Sequence, residues 1–116
     1  MVVALLLASC APAVTDEEET NELTLQITSV TSPVRPGAYA TLVAQTAPEA
    51  QCDITVYYKS GPSRASGLDT KEADQNGRVS WTWKVGTRTT PGSWRIVVKA
   101  RLEDQTTSRQ TYFRVD

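Results

Sequence analysis

A chain of 116 residues with no histidine fits one domain and excludes the commonest catalytic arrangements, since the usual general base, zinc ligand and nucleophilic triad all need imidazole. The formal net charge of −1 hides an asymmetry: Asp16, Glu17, Glu18, Glu19 and Glu22 sit at one end and leave 12 bases against 8 acids in the rest. Those bases, among them Arg35, Lys59, Arg64, Lys71, Arg88, Arg95 and Arg109, are scattered rather than clustered with aromatics, so no nucleic-acid partner is expected.

The chain opens on an apolar run, Val2 to Ala8, that is too short to span a bilayer and too apolar for a globular terminus. It reads as the end of a secretory signal peptide. Leu7-Ala8-Ser9-Cys10 resembles the bacterial lipobox: a branched apolar residue, two small residues, then cysteine. The resemblance implies that Cys10 receives a diacylglyceryl group, becomes the mature N-terminus and is acylated again, by palmitate or a similar chain. More than one chain is needed for a lasting anchor, because each buried methylene contributes about 0.8 kcal/mol. One feature departs from the pattern: no basic residue stands between Met1 and Val2. Either translation starts upstream of Met1 or the match is accidental. Ala11 to Asn21, with Pro12 and the acidic run, shows no apolar periodicity and reads as a solvated spacer. The expected organisation is therefore 1–9 signal peptide, 10–21 lipidated Cys10 and spacer, and 22–116 folded domain, exported and membrane-anchored, with a monomer expected.

From Glu22 onward the pattern is that of strands. Leu23, Leu25 and Ile27 alternate with polar residues in a first strand, broken by Ser32-Pro33-Val34-Arg35-Pro36-Gly37. Tyr39 to Gln45 makes a second. Gln51 to Lys59 makes a third, with Cys52, Ile54, Val56 and Tyr58 on one face. Ser60 to Gly67 carries turn residues throughout and is the longest loop. Leu68 to Ala73 is short, polar and suited to an edge. Asp74-Gln-Asn-Gly77 reads as a tight hairpin turn; its D-x-N-G letters lack the further oxygen ligands of a calcium loop. Two tryptophan-bearing strands follow. Val79, Trp81, Trp83 and Val85 share one face of the first, and Trp94, Ile96, Val98 and Ala100 share one face of the second. Asp104-Gln-Thr turns the chain into a last strand, Thr106 to Val115.

About seven short strands with regular turns and no helix predict an all-β fold, an immunoglobulin-like antiparallel β-sandwich in two sheets. The stretches Ser32-Pro-Val-Arg-Pro-Gly37, Cys52 to Ser63, Ala73 to Gly86 and Thr89-Thr-Pro-Gly-Ser-Trp94 resemble bacterial Ig-like domains of secreted and cell-surface proteins. That resemblance implies an extracellular module and brings no catalytic residues. Of the two cysteines, Cys52 alternates with core positions and is expected to be a buried, inert thiol; a Cys10–Cys52 disulfide is the alternative.

Function is expected to be non-catalytic: structure, adhesion or interaction at the cell surface, with an envelope protein or polysaccharide as partner. The carboxylates Asp53, Asp69, Glu72 and Asp74 form no evident acid–base pair, and Lys84 points away from its neighbour Trp83. No metal or cofactor is expected. The candidate recognition element is the loop residues Ser60, Gly61, Pro62, Ser63 and Arg64, with Arg88 from Gly86-Thr-Arg88 as a second basic contributor. The alternative is a glycan-binding module that stacks sugars on outward tyrosines, Tyr57, Tyr39 or Tyr112.

Overall fold

A computed structural model describes residues 22–116. The expected signal peptide, the lipidated Cys10 and the acidic spacer lie outside the described residues. These residues form eight strands: β1 Gln26–Val30, β2 Tyr39–Gln45, β3 Gln51–Tyr58, β4 Gly61–Pro62, β5 Lys71–Glu72, β6 Arg78–Lys84, β7 Gly92–Leu102 and β8 Gln105–Val115. They make an all-β, immunoglobulin-like sandwich. A three-stranded sheet runs β1-β2-β6; a five-stranded sheet runs β4-β3-β7-β8, with β5 also on β3. Every strand pair is antiparallel.

The period of two sets which side chains meet between the sheets. From the first sheet come Ala40, Leu42, Ala44, Val79, Trp81 and Trp83; from the second, Cys52, Val56, Ile96, Val98, Ala100 and Phe113, all buried. The two tryptophan-bearing strands are therefore not a paired hairpin. They lie in opposite sheets and point toward each other, Trp81 and Trp83 fully buried and Trp94 half-buried. In β2 the alternation places Ala40, Leu42 and Ala44 inside.

Three departures from simple alternation shape the edges. Thr28 is an extra residue in β1, because Ile27 pairs with Ala44 while Ser29 pairs with Val43. This bulge changes the parity, so Ile27 and Val30 both pack against the core. The two prolines of Ser32–Gly37 release the chain from the first sheet to the second. There Val34 bridges Val115 in parallel, its N–H donating to the Arg114 carbonyl at 2.9 Å and its carbonyl accepting from Asp116 N–H at 3.0 Å. Lastly, β6 is an edge strand that the connection 63–70 covers. Lys71 Nζ donates to Ser80 O at 2.9 Å, Trp81 Nε1 donates to Asp69 O at 2.7 Å, and Gly67 lies so close that a Cβ there would come 2.1 Å from Thr82 O.

The Asp74–Gly77 turn forms with the expected chemistry. The Asp74 carboxylate accepts from Asn76 N and Arg78 N, and Gly77 adopts a φ of 79°. It joins β5 in one sheet to β6 in the other, however, so it closes the end of the sandwich rather than a hairpin. The last hairpin turns at Glu103-Asp104, one residue earlier than the Asp104-Gln-Thr reading, with Glu103 left-handed at φ 57°.

Candidate functional site

The sandwich has two poles. The described chain enters at the first, where Leu23 N–H donates to Gln105 Oε1 at 2.6 Å beside the β7–β8 turn. The second lies at the other end of β7. Its 11 residues make ten steps of about 3.3 Å, so that strand separates the poles by roughly 33 Å.

A groove of about 570 Å³ opens at this distal pole, lined by Tyr58, Lys59, Ser60, Gly86, Arg88, Thr89 and Thr90. One wall is the turn Lys59–Ser60, which forms because Gly61 and Pro62 fold back as β4 and pair with Tyr58 and Tyr57. Gly61 takes a φ of 118°, open to glycine and strained for other residues. The other wall is the β6–β7 connection. Thr89 N–H donates to Gly86 O at 3.1 Å, and Trp94 Nε1 donates to Thr90 O at 2.8 Å, tying this connection to the β7 strand.

The floor is held by aromatics. Tyr58 meets Trp94 edge-on at 6.4 Å between centroids and Phe113 at 6.1 Å; Phe113 meets Trp83 edge-on at 5.8 Å. The Tyr58 hydroxyl accepts from Trp83 Nε1 at 3.2 Å. Burial pushes the Tyr58 phenol above its ordinary pKa, and the Trp83 bond offsets part of that shift. Tyr58 thus presents a neutral, fixed ring. Lys59 and Arg88 are exposed, carry the only charges in the lining, and are in no ion pair among the described residues.

Of the recognition residues read from the sequence, the fold brings Ser60 and Arg88 into one groove. Gly61 and Pro62 are drawn into β4, behind the turn, and Ser63 and Arg64 do not line the groove. Ser63 instead stabilises the backbone, its N–H donating to Val56 O and its Oγ accepting from Ala65 N. Tyr58, Lys59, Thr89 and Thr90 were missed. The available signal was that Tyr58 is the last inward residue of its strand before a turn, a position that faces an open end of the core.

The outward tyrosines divide between the sheets. Tyr57, Arg95 and Tyr112 stand side by side across β3, β7 and β8 on the outer face of the five-stranded sheet. The Arg95 guanidinium lies 4.5 Å from the Tyr57 ring centre, a cation–π contact worth about 0.5–1 kcal/mol at an exposed site. Tyr39 is on the outer face of the other sheet, 65% exposed. The carboxylates are spread over separate elements: Asp53 on β3 accepts from the Thr70 hydroxyl, Glu72 is on β5, Asp69 is in the connection before it, and Asp74 caps its turn. Cys52 is fully buried with its thiol toward Ala50 O at 3.5 Å; burial, and secondarily the Asp53 carboxylate, push its pKa up to about 11.

No family model matches the chain, and no curated protein matches it. Several solved structures align with it, among them the following two. A chimeric titin Z1Z2 functionalized with an exogenous KLER peptide from decorin does so with a TM-score of 0.47 at 20% identity, over 80% of this chain and 97% of that one. A family 123 glycoside hydrolase from Clostridium perfringens does so with a TM-score of 0.40 at 9% identity, over 82% of this chain and 27% of that one.

Proposed function

We propose that this chain is a non-catalytic, lipid-anchored bacterial surface module whose Ig-like sandwich serves an adhesion or interaction role. The observation that carries this reading is polar. The chain enters at the Leu23–Gln105 end, and the groove with Lys59 and Arg88 opens at the opposite end. A domain tethered through Cys10 by the spacer 10–21 would hold its groove away from the membrane, free for a partner. The Leu7-Ala8-Ser9-Cys10 pattern supports the anchor. A binding role is favoured over catalysis because Asp53 and Asp74 are engaged in local hydrogen bonds and no two candidate carboxylates are brought together as an acid–base pair. Cys52 sits fully buried in the core with its thiol toward Ala50 O, which favours an inert core thiol and a Cys10 committed to lipid.

Fractionation of cells expressing the full chain tests the anchor. The wild type should sediment with membranes, and Cys10→Ser should move to the soluble fraction. Membrane retention of Cys10→Ser would overturn the lipid anchor.

A further inference from the structure

The strand registers sort the charged residues by pole. Glu22, Glu49, Glu72, Asp74, Glu103 and Asp104 lie at the entry pole, in or beside the turns where β2, β5 and β7 end and β3, β6 and β8 begin. Cations in that half are Lys71, Arg78, Lys99, Arg101 and Arg109, fewer than its carboxylates once Asp53, opposite Lys99, is included. The distal pole is the reverse. Arg35, Lys59, Lys84, Arg88 and Arg114 gather there, with Asp116 the one carboxylate among the described residues, paired with Arg114 at 3.2 Å. The placement of Arg35 follows from Gly37 N–H donating to Val85 O. Such a division gives the domain a directed field, attractive to anions at the groove end.

From this we infer that the distal groove binds a short segment of an anionic polysaccharide, with carboxylate or sulfate groups held by Arg88 and Lys59. The inference rests on the binding role proposed above and names its ligand class. The groove chemistry favours a sugar over an acidic peptide. Its walls offer the hydroxyls of Ser60, Thr89 and Thr90, its floor the ring of Tyr58, and no aliphatic side chain lines it to anchor a peptide residue. Arg88 supplies planar, bidentate recognition of a carboxylate or sulfate, and Lys59 a second positive charge. At about 570 Å³ the groove lies within the ordinary range of ligand sites.

The test is retention of the purified full chain on immobilised polygalacturonate, dextran sulfate, neutral dextran and polyglutamate, at about 0.15 M salt. Retention on one or both anionic glycans, and not on dextran or polyglutamate, is expected; the two anionic resins separate carboxylate from sulfate. Lys59→Glu/Arg88→Glu should weaken that retention by roughly tenfold or more, the size of a charge-assisted hydrogen bond. Arg101→Glu makes a charge reversal at the entry pole and should change it less than about twofold, because the field there is screened from the groove. Arg88→Gln gives a milder second variant should the double reversal impair folding, and it should weaken binding in the same direction. Equal losses in Arg101→Glu and Arg88→Gln, retention on polyglutamate or dextran as strong as on the anionic glycans, or no retention at all would overturn the inference. All these variants keep Cys10. Loss of glycan binding with membrane retention intact therefore counts against the ligand class alone, while a soluble wild type counts against the anchor.

Discussion

The two ends of this sandwich are packed by different means. At the distal pole the sheets are filled by large rings: Trp83, Phe113, Tyr58 and the half-buried Trp94, with Ala40 beside Trp83 leaving it room. At the entry pole small buried residues predominate, Ala44, Ala50, Cys52, Ala73 and Ala100, beside the aliphatic Leu23, Leu25 and Val79, and no aromatic ring is buried there among the described residues. There the chain closes through backbone. Glu49 N–H donates to Ala73 O, Ala73 N–H donates to Ala50 O, and Thr46 N–H donates to Gly77 O at 2.7 Å. A Cβ on Gly77 would stand 2.0 Å from Thr46 O. Large rings stand beneath the groove at one end; at the other, small residues and backbone hydrogen bonds draw the connections close together. Residue size thus helps to give the two ends of one sandwich different surfaces, one of them concave and floored by aromatics.

That contrast predicts opposite responses to mutation. Trp83→Ala should leave a cavity beneath the groove and cost about 3–5 kcal/mol, read by denaturant or thermal unfolding. A variant with unchanged melting would refute the aromatic pole as the main packing element. Ala100→Leu should be destabilising for the converse reason: an added side chain opposite Cys52 has no space, at a cost of about 1–3 kcal/mol. A neutral or stabilising result would mean that the entry pole is loosely packed. Tyr58→Phe keeps the ring but removes the acceptor of Trp83 Nε1, leaving a buried donor unpaired for about 1–2 kcal/mol. The smallest effect belongs to Cys52. Its pKa is raised from 9.0 to about 11, so the folded state favours the neutral thiol. The stability this supplies is complete below pH 9, where neither state ionises, and is lost as pH climbs toward about 11. By about pH 10 the loss should reach about 1 kcal/mol, and Cys52→Ala should flatten that part of the stability–pH curve. An identical alkaline decline in Cys52→Ala would show that the thiol is not the titrating group, and would turn attention to Tyr58, whose raised pKa acts with the same sign.

How much of this was legible before the structure depends on the kind of information each residue carries. Alternation is local, so Val79, Trp81 and Trp83, and Ile96, Val98 and Ala100, announced their inward faces in the sequence. Turn chemistry is also local: Asp74, Asn76 and Gly77 specify backbone angles. They do not specify which sheet the next strand joins, and so the turn read as a hairpin when it crosses between sheets. The bulge at Thr28 was hidden because its extra residue shows only against the partner strand. The groove suffered most. Arg88 and Ser60 were visible as basic and turn residues on separate connections. Their meeting depends on β4 folding back along β3 and on Trp94 holding Thr90, both contacts beyond any window of local pattern. The proposed anchor is the opposite case. Its evidence is wholly sequential, in Leu7 to Cys10 and the acidic run after it.

The anchor is therefore where one measurement decides most: the intact mass of the protein recovered from its native membrane fraction. A lipid-anchored chain should begin at Cys10 and carry two or three acyl chains, since one chain alone gives no lasting anchor. An unacylated chain that retains residues 1–9, recovered from the soluble fraction, would contradict the anchor.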